Sequence, residues 1–311
     1  MLQKIKQNKE IFYSVVLIVI PVTILFSITI FLKVKDTVNI AIKEVPITEA
    51  NKNVFAGIQI EAKAAIVKDI NTGEIIYGKN IDLPLALASI TKVLTVLTFE
   101  INSNKEIVSI SNDDLSQSGD SLLFSGEKFY KKDIINFTLI TSSNDASAAL
   151  AANALGGLSI SKDIFITEMN RVAKLIGMKN SYFYNATGLD NSITSAGAHG
   201  SASDVATLFE YTLKNYPNIL ESTGKSKLTI RSIDGIIHQA TNTNSIIDKL
   251  PNVVASKTGF TDIAGGNLAV VIDPALNRPV VIVVLGSTEE GRFTDIEKLS
   301  QKTEEYFKLF N

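Results

Sequence analysis

Cysteine is absent from the 311 residues. Disulfides, thiolate nucleophiles and cysteine-ligated metal are therefore excluded, while the redox compartment stays open. Histidine occurs only twice, at His199 and His238. That is too few for a three-histidine metal centre, and no ligand spacing points to a mixed carboxylate site. A Ser-His-Asp triad would have to recruit one of the two, and a surface or structural place suits each better. A charge excess is missing as well: 30 basic against 32 acidic residues leave a net charge of −2, so no overall field draws the chain to nucleic acid. With 45% hydrophobic residues, 18 glycines and 7 prolines, the chain suits one large or two small globular domains with a substantial core.

One long apolar run is present. Residues 11–32, "IFYSVVLIVIPVTILFSITIFL", carry no charge. As a helix they would reach roughly 33 Å, enough to cross a hydrocarbon core of about 30 Å. Pro21 is tolerable inside a membrane helix. Lys4, Lys6 and Lys9 precede the run and favour a cytoplasmic N-terminus, against which Lys33 and Lys35 weigh only in part. The sequence "FLKVKDTV" after it offers no small-x-small cleavage site. The expectation is a cytoplasmic tail (1–10), an uncleaved single-pass anchor (11–32), a stalk (33–60) and an extracytoplasmic domain (61–311).

Within that domain, "AAIVKDINTGEIIYGKN" reads as two strands around Asn71-Thr72-Gly73. Helical patterns run from Pro84 to about Phe99 and through "FYKKDIINFTLI", "DASAALAANAL" and "IFITEMNRVAKLIGM". Three β-rich runs, "NVVASKTGF", "GNLAVVID" and "PVVIVVLGS", precede a closing helix, "FTDIEKLSQKTEEYFKLF". This order predicts an α+β domain whose mostly antiparallel sheet joins both ends of the sequence, with helices on its faces.

Four Ser-x-x-Lys windows occur: Ser89–Lys92, Ser125–Lys128, Ser159–Lys162 and Ser222–Lys225. The other three follow or contain glycine turns, and only Ser89 opens a long apolar helix, "ITKVLTVLTF". A helix start offers free N–H groups and a positive dipole end for an oxyanion. It also sets residue i+3 on the same face, so the Lys92 amine can approach the hydroxyl. As a base, Lys92 must lose about three units from a reference pKa near 10.4, which burial and a second cation would promote. The alternative is a serine that merely caps a helix. Two further clusters bear on the choice: Ser142-Ser143-Asn144 between two helices, and Lys257-Thr258-Gly259 on a strand before a glycine-rich turn.

Together these three clusters, in this order, resemble the penicillin-binding D-alanyl-D-alanine carboxypeptidases, the low-molecular-mass class of serine peptidase. "ASITKVLT", "SSNDASAAL", "MNRVAKLIGMKNSYFYNATGLD", "SASDVATL", "KTGFTDIAGGNLAVV" and "GRFTDIEKL" extend the likeness over roughly residues 62 to 311. The resemblance implies a β-lactamase/transpeptidase-like fold, no cofactor and a bacterial cell-membrane location. It implies peptidoglycan stem pentapeptides as substrates and β-lactam antibiotics as acylating inhibitors. Ser89 would attack the carbonyl between two D-alanines and Lys92 would take its proton. Ser142 would relay a proton to the leaving amine, and Asn144 would hold the lysine and the substrate backbone. Lys257 would supply a second positive charge, and Thr258 and Thr261 would bind the terminal carboxylate. Gly259 would leave room for the ligand, Ser89 and Phe260 would give the oxyanion N–H groups, and Arg292 would stand near the carboxylate. The expected attachment is N-terminal, whereas well-known members attach through a C-terminal helix.

Three alternatives share these residues. A class A-like β-lactamase would need a deacylating glutamate about 34 residues past the second cluster, but Asn144 plus 34 is Met178, and Glu168 is the nearest acid. A D,D-endopeptidase would cut crosslinks with the same site. A non-catalytic penicillin-binding scaffold would keep the fold alone.

Overall fold

β1 (Ala64–Asp69) and β2 (Ile75–Lys79) come from the start of the domain. β10 (Val253–Thr261), β11 (Gly265–Ile272) and β12 (Val280–Ser287) come from its end. These five strands form one antiparallel sheet in the order β10-β11-β12-β1-β2. β1 pairs β12 from Ala64↔Leu285 to Asp69↔Val280, so both ends of the sequence close one sheet. This computed structural model describes residues 54–119, 122–154 and 162–310. The expected anchor at 11–32, the tail before it, most of the stalk and Ser159 lie outside the described residues. Among the described residues no helix is long and apolar enough to cross a membrane.

The central strands read as unbroken apolar runs because both faces are covered. On β12, Val281, Val283 and Leu285 face one core, while Val280, Ile282 and Val284 face the other. β11 divides likewise, with Ala269 and Val271 on the first side and Leu268, Val270 and Ile272 on the second. A one-residue slip would exchange the two sets, so register is strongly fixed. The first core takes α1 (Thr91–Asn102), α2 (Lys131–Ile140), α3 (Asn144–Asn153), α4 (Lys162–Ile176) and α5 (Ala202–Asn215). The second takes the closing helix α6 (Gly291–Phe310), through Phe293, Ile296 and Leu299. Each large aliphatic or aromatic side chain buried this way contributes about 1.5–3 kcal/mol.

Residues 54–60, expected as the end of the stalk, pack on the second core: Phe55 is buried and stacks on Tyr77 with centroids 5.2 Å apart. Asp295 of α6 accepts from Glu61 N at 2.9 Å and Ala62 N at 2.8 Å, pinning the entry to β1. The helix expected from Pro84 begins only at Thr91. Before it come β3 (Leu85–Ala86) and a 3-10 turn, Ala88–Ile90. Periodicity also overlooks α5 and several short strands. β4 (Ile107–Ser109) and β5 (Lys128–Tyr130) pair with each other. β6 (Tyr182–Phe183) and β7 (Ala198–Gly200) join β3 in a small sheet. A separate hairpin is made by β8 (Lys227–Arg231) and β9 (Ile237–Thr241).

Candidate active site

Ser89 stands in the 3-10 turn and Lys92 in the first turn of α1. No side chain caps α1, so the capping role does not fall to Ser89. Lys92 Nζ instead lies 2.8 Å from Ser89 Oγ and donates to Thr187 O at 2.7 Å. Val93, Leu94, Val96 and Leu97 bury the helix on every side, and Lys92 itself is fully buried. Burial, then the neighbouring Lys257 charge, hold its amine well below the ordinary 10.5. A neutral amine has one lone pair and two N–H bonds. With one N–H given to Thr187 O, the lone pair is free to take the Ser89 proton.

The second cluster sits between α2 and α3. Ser143 caps α3 by accepting from Ala146 N at 3.1 Å, which leaves Ser142 outside the helix with a left-handed φ of +62°. Ala88, just before Ser89, is likewise left-handed at +47°. Such backbone costs a non-glycine residue roughly 1–3 kcal/mol. The other left-handed non-glycine residues described, Asn80, Asn252 and Asn277, are all asparagines, so Ala88 and Ser142 stand apart beside and at a motif serine. Ser142 Oγ accepts from Lys257 Nζ at 2.8 Å, and the same amine donates to Thr258 O at 2.9 Å. Burial and then Arg292 lower the Lys257 amine to about 7. Asn144 Nδ2 donates to Ser118 O at 2.7 Å, and its Oδ1 is buried with no hydrogen-bond partner among the described residues.

Lys257, Thr258 and Gly259 belong to β10, an edge strand of the sheet. A Cβ on Gly259 would stand 2.8 Å from Leu87 O and 3.2 Å from Ser89 N, so β10 runs against the turn that carries Ser89. Thr258 Oγ1 meets Thr243 Oγ1 at 2.5 Å. Phe260 is partly exposed at 41%. Arg292 is buried, donates to Gly259 O at 2.9 Å and rests on the Phe293 and Phe260 rings. Its own ionisation is lowered by burial. Thr261 faces inward to the fold's own groups: it donates to Asp190 Oδ1 at 3.0 Å and accepts from Ala264 N at 3.1 Å.

The arrangement thus provides two bonded lysine–serine pairs, joined by the close approach of β10 to the Ser89 turn. An open cleft of about 450 Å³ reaches Thr187 and Ser118, whose carbonyls hold Lys92 and Asn144. Of the other windows, the two that lie among the described residues offer nothing comparable. Ser125 is exposed in a turn and the buried Ser222 hydroxyl has no hydrogen-bond partner among the described residues. His238 pairs with buried Glu127 at 2.6 Å among phenylalanine rings, a structural place. Met178 is buried, and Glu168 bonds Arg171 at 2.7 Å. Motif reasoning misses Thr187, Asp190 and Thr243. The first two have only their place in "YNATGLD" as a signal, Thr243 has none, and a backbone acceptor leaves no side-chain signature at all.

The D-alanyl-D-alanine carboxypeptidase family model matches residues 48–289. The D-alanyl-D-alanine carboxypeptidase DacF of Bacillus subtilis is 32% identical over 77% of this chain and 61% of its own length. The chain therefore spans less than two thirds of that relative. A D-alanyl-D-alanine endopeptidase of Pseudomonas aeruginosa is also 32% identical, over 76% of this chain and 74% of its own. Among solved structures, the ampicillin-bound penicillin-binding protein D2 of Listeria monocytogenes superposes with a TM-score of 0.64 at 27% identity, covering 79% of this chain and 98% of that one. With the family model covering most of the described domain, and with the fold shared, the chain belongs to the D-alanyl-D-alanine carboxypeptidase family.

Proposed function

We propose that the protein is a serine-type D-alanyl-D-alanine carboxypeptidase that trims peptidoglycan stem pentapeptides through an acyl-enzyme on Ser89. The observation that carries this reading is the buried Lys92 amine at 2.8 Å from Ser89 Oγ, with a second cation, Lys257, bonded to Ser142. Ser89 Oγ attacks the carbonyl carbon between the two D-alanines while its proton passes to Lys92 Nζ. The N–H groups of Ser89 and Phe260 receive the oxyanion. Collapse of the intermediate expels the terminal D-alanine, whose amine takes its proton by way of Ser142. Water then attacks the ester, with Lys92 again as base, and frees Ser89. Lys257 and Thr258 face the substrate's terminal carboxylate. Asn144 would hold the substrate backbone only once its buried Oδ1 is uncovered. Thr261 would have to leave Asp190 to join them, and buried Arg292 contributes through its charge on Lys257.

Incubation of the full-length protein with pentapeptide muropeptides should yield tetrapeptides lighter by one D-alanine, and penicillin should leave an adduct on the peptide containing Ser89. Persistence of intact pentapeptide would end this reading. The endopeptidase relative at equal identity favours a second activity on the same site, which would appear as cleavage of crosslinked dimers. β-Lactams should acylate Ser89 and leave slowly, because no acid occupies the Met178 position; rapid nitrocefin turnover would contradict this. We further propose that residues 11–32 anchor the protein once in the bacterial cell membrane, with the N-terminus cytoplasmic and the domain outside. The uncharged run and the lysines before it support this. Full-length protein should then stay in the membrane pellet after an alkaline wash; its release would contradict the anchor.

A further inference from the structure

The turn at residues 185–190 touches every element that carries a motif residue. Ala186 O accepts from Thr95 Oγ1 of α1 at 2.6 Å and from Ser147 Oγ of α3 at 2.7 Å. Thr187 O accepts from Lys92 Nζ. Gly188, with φ at +78°, lies so close beneath the Ser89 turn that a Cβ there would stand 1.9 Å from Ala88 O. Asp190 holds Thr261 Oγ1 and, at 3.3 Å, Ile263 N beyond the end of β10.

One side chain braces this turn from within. Asn185 Oδ1 accepts from Thr187 N at 3.2 Å, Thr187 Oγ1 at 3.2 Å and Gly188 N at 2.7 Å. Its Nδ2 donates to Leu189 O at 2.8 Å and Asn191 Oδ1 at 2.9 Å. Three of these bonds fall on the two residues that flank or carry the Thr187 carbonyl. That carbonyl takes one hydrogen of the Lys92 amine, so the lone pair is kept away from Thr187 and is left among the directions that include Ser89. A neutral amine that rotates freely presents either a hydrogen or its lone pair to Ser89, and only the lone pair can receive the proton.

We infer that Asn185 is a positioning residue for proton transfer: by bracing the 185–190 turn it aims the Thr187 carbonyl at Lys92 Nζ, which engages one N–H and keeps the amine's lone pair available to Ser89. The inference rests on the proposed acyl-enzyme reading. It differs from a merely structural role because it places the loss in the acylation step and not in ligand capture. The carboxylate side of the site, Lys257 and Thr258, is bonded to Ser142 and Thr243 and makes none of the Asn185 contacts.

Pre-steady-state acylation by a fluorescent penicillin tests it, since the rate constant and the preceding dissociation constant are read separately. Asn185→Ala should lower the acylation rate constant by about 10²-fold, the loss that a misplacement of about 1 Å can bring, with the dissociation constant within about threefold of wild type. Asn185→Asp keeps an acceptor oxygen for Thr187 N and Gly188 N, loses the Nδ2 donor to Leu189 O and Asn191 Oδ1, and adds a negative charge beside the Lys92 acceptor. That charge favours the ammonium form, so the acid-side limb of its acylation profile should move to higher pH, and the lost Nδ2 bonds should hold the limiting rate constant below wild type. If Asn185→Ala does not fold, Asn185→Asp carries the test alone: a lowered limiting rate constant at an unchanged dissociation constant supports the inference, and a wild-type limiting rate constant overturns it. Wild-type rate and profile in folded Asn185→Ala, or a loss confined to the dissociation constant, also overturns it. Failure of the wild type itself to be acylated would instead strike the acyl-enzyme reading.

Discussion

Lys92→Met should lower penicillin acylation by about 10⁴-fold and yet raise the melting temperature at pH 7. The loss follows from removing the base from the buried Ser89–Lys92 pair, at the upper end of what general base catalysis supplies. The gain follows from linkage. Unfolded, a lysine keeps its proton up to its ordinary 10.5; folded, Lys92 is driven well below that by burial and by Lys257. Giving up that proton on burial opposes folding, and methionine fills a similar volume without that cost. Thr187 O then loses its donor, which takes back about 1–3 kcal/mol. The net effect should be a melting temperature above that of the wild type. The sign is checkable. A depressed lysine makes the unfolded state the richer in protons, so stability rises with pH until the unfolded group titrates. The advantage of Lys92→Met should therefore shrink as pH climbs toward 10.5. A variant that melts lower at pH 7, or acylates near the wild-type rate, would contradict a neutral, catalytic Lys92.

Lys257 extends the same logic to binding. Its amine sits at about 7, so the free enzyme should lose affinity for the substrate carboxylate as pH rises through 7. A bound carboxylate favours the ammonium form, so the falling limb for kcat should lie at higher pH than that for kcat/KM. Arg292, Lys257 and Lys92 thus form a graded series: each cation lowers the next, and the last is the one that must be a base.

The parts of the fold legible in the sequence are those where one pattern persists along several residues. β12 could be read because Val280 to Leu285 is covered on both faces. α4 could be read because Phe165, Met169, Val172 and Ala173 recur at helical spacing. β3, β6 and β7 have two or three residues each and exist only through long-range pairings such as Leu85↔Gly200, so no local pattern announces them. α5 was readable in principle, from Ser201 accepting from Asp204 N at 3.1 Å and the buried Val205, Leu208, Phe209 and Thr212. The site divides similarly. Ser89, Lys92, Ser142 and Lys257 are side chains with recognisable chemistry, and the structure bonds them as two pairs. That Thr261 spends its hydroxyl on Asp190, and Asn144 its amide on Ser118, depends on loops whose approach no spacing encodes.

Gly259→Ala should cut acylation by about 10²–10³-fold while the protein stays folded. The added methyl would stand 2.8 Å from Leu87 O and 3.2 Å from both Ser89 N and Ile90 N. All three are backbone atoms, so no side chain can swing aside. Either β10 or the Ser89 turn must yield by several tenths of an ångström, and each is held in place. β10 is paired along β11 and tied through Gly259 O to Arg292, while the turn is fixed by Asn267 Nδ2 donating to Ala86 O at 2.9 Å. The displacement falls beside Ser89 N, one of the two N–H groups proposed to receive the oxyanion. Losing one such donor costs about 10²–10³-fold in rate. Gly188→Ala makes the contrast: there the methyl meets Ala88 O at 1.9 Å on a left-handed backbone, so folding itself should fail. The two glycines are expected to serve different ends, Gly188 allowing the turn to pack and Gly259 the close approach of β10 to Ser89. Measuring melting temperature and acylation on both variants separates them, and a Gly259→Ala protein that acylates at the wild-type rate would show that the closeness of β10 to Ser89 is not needed for the chemistry.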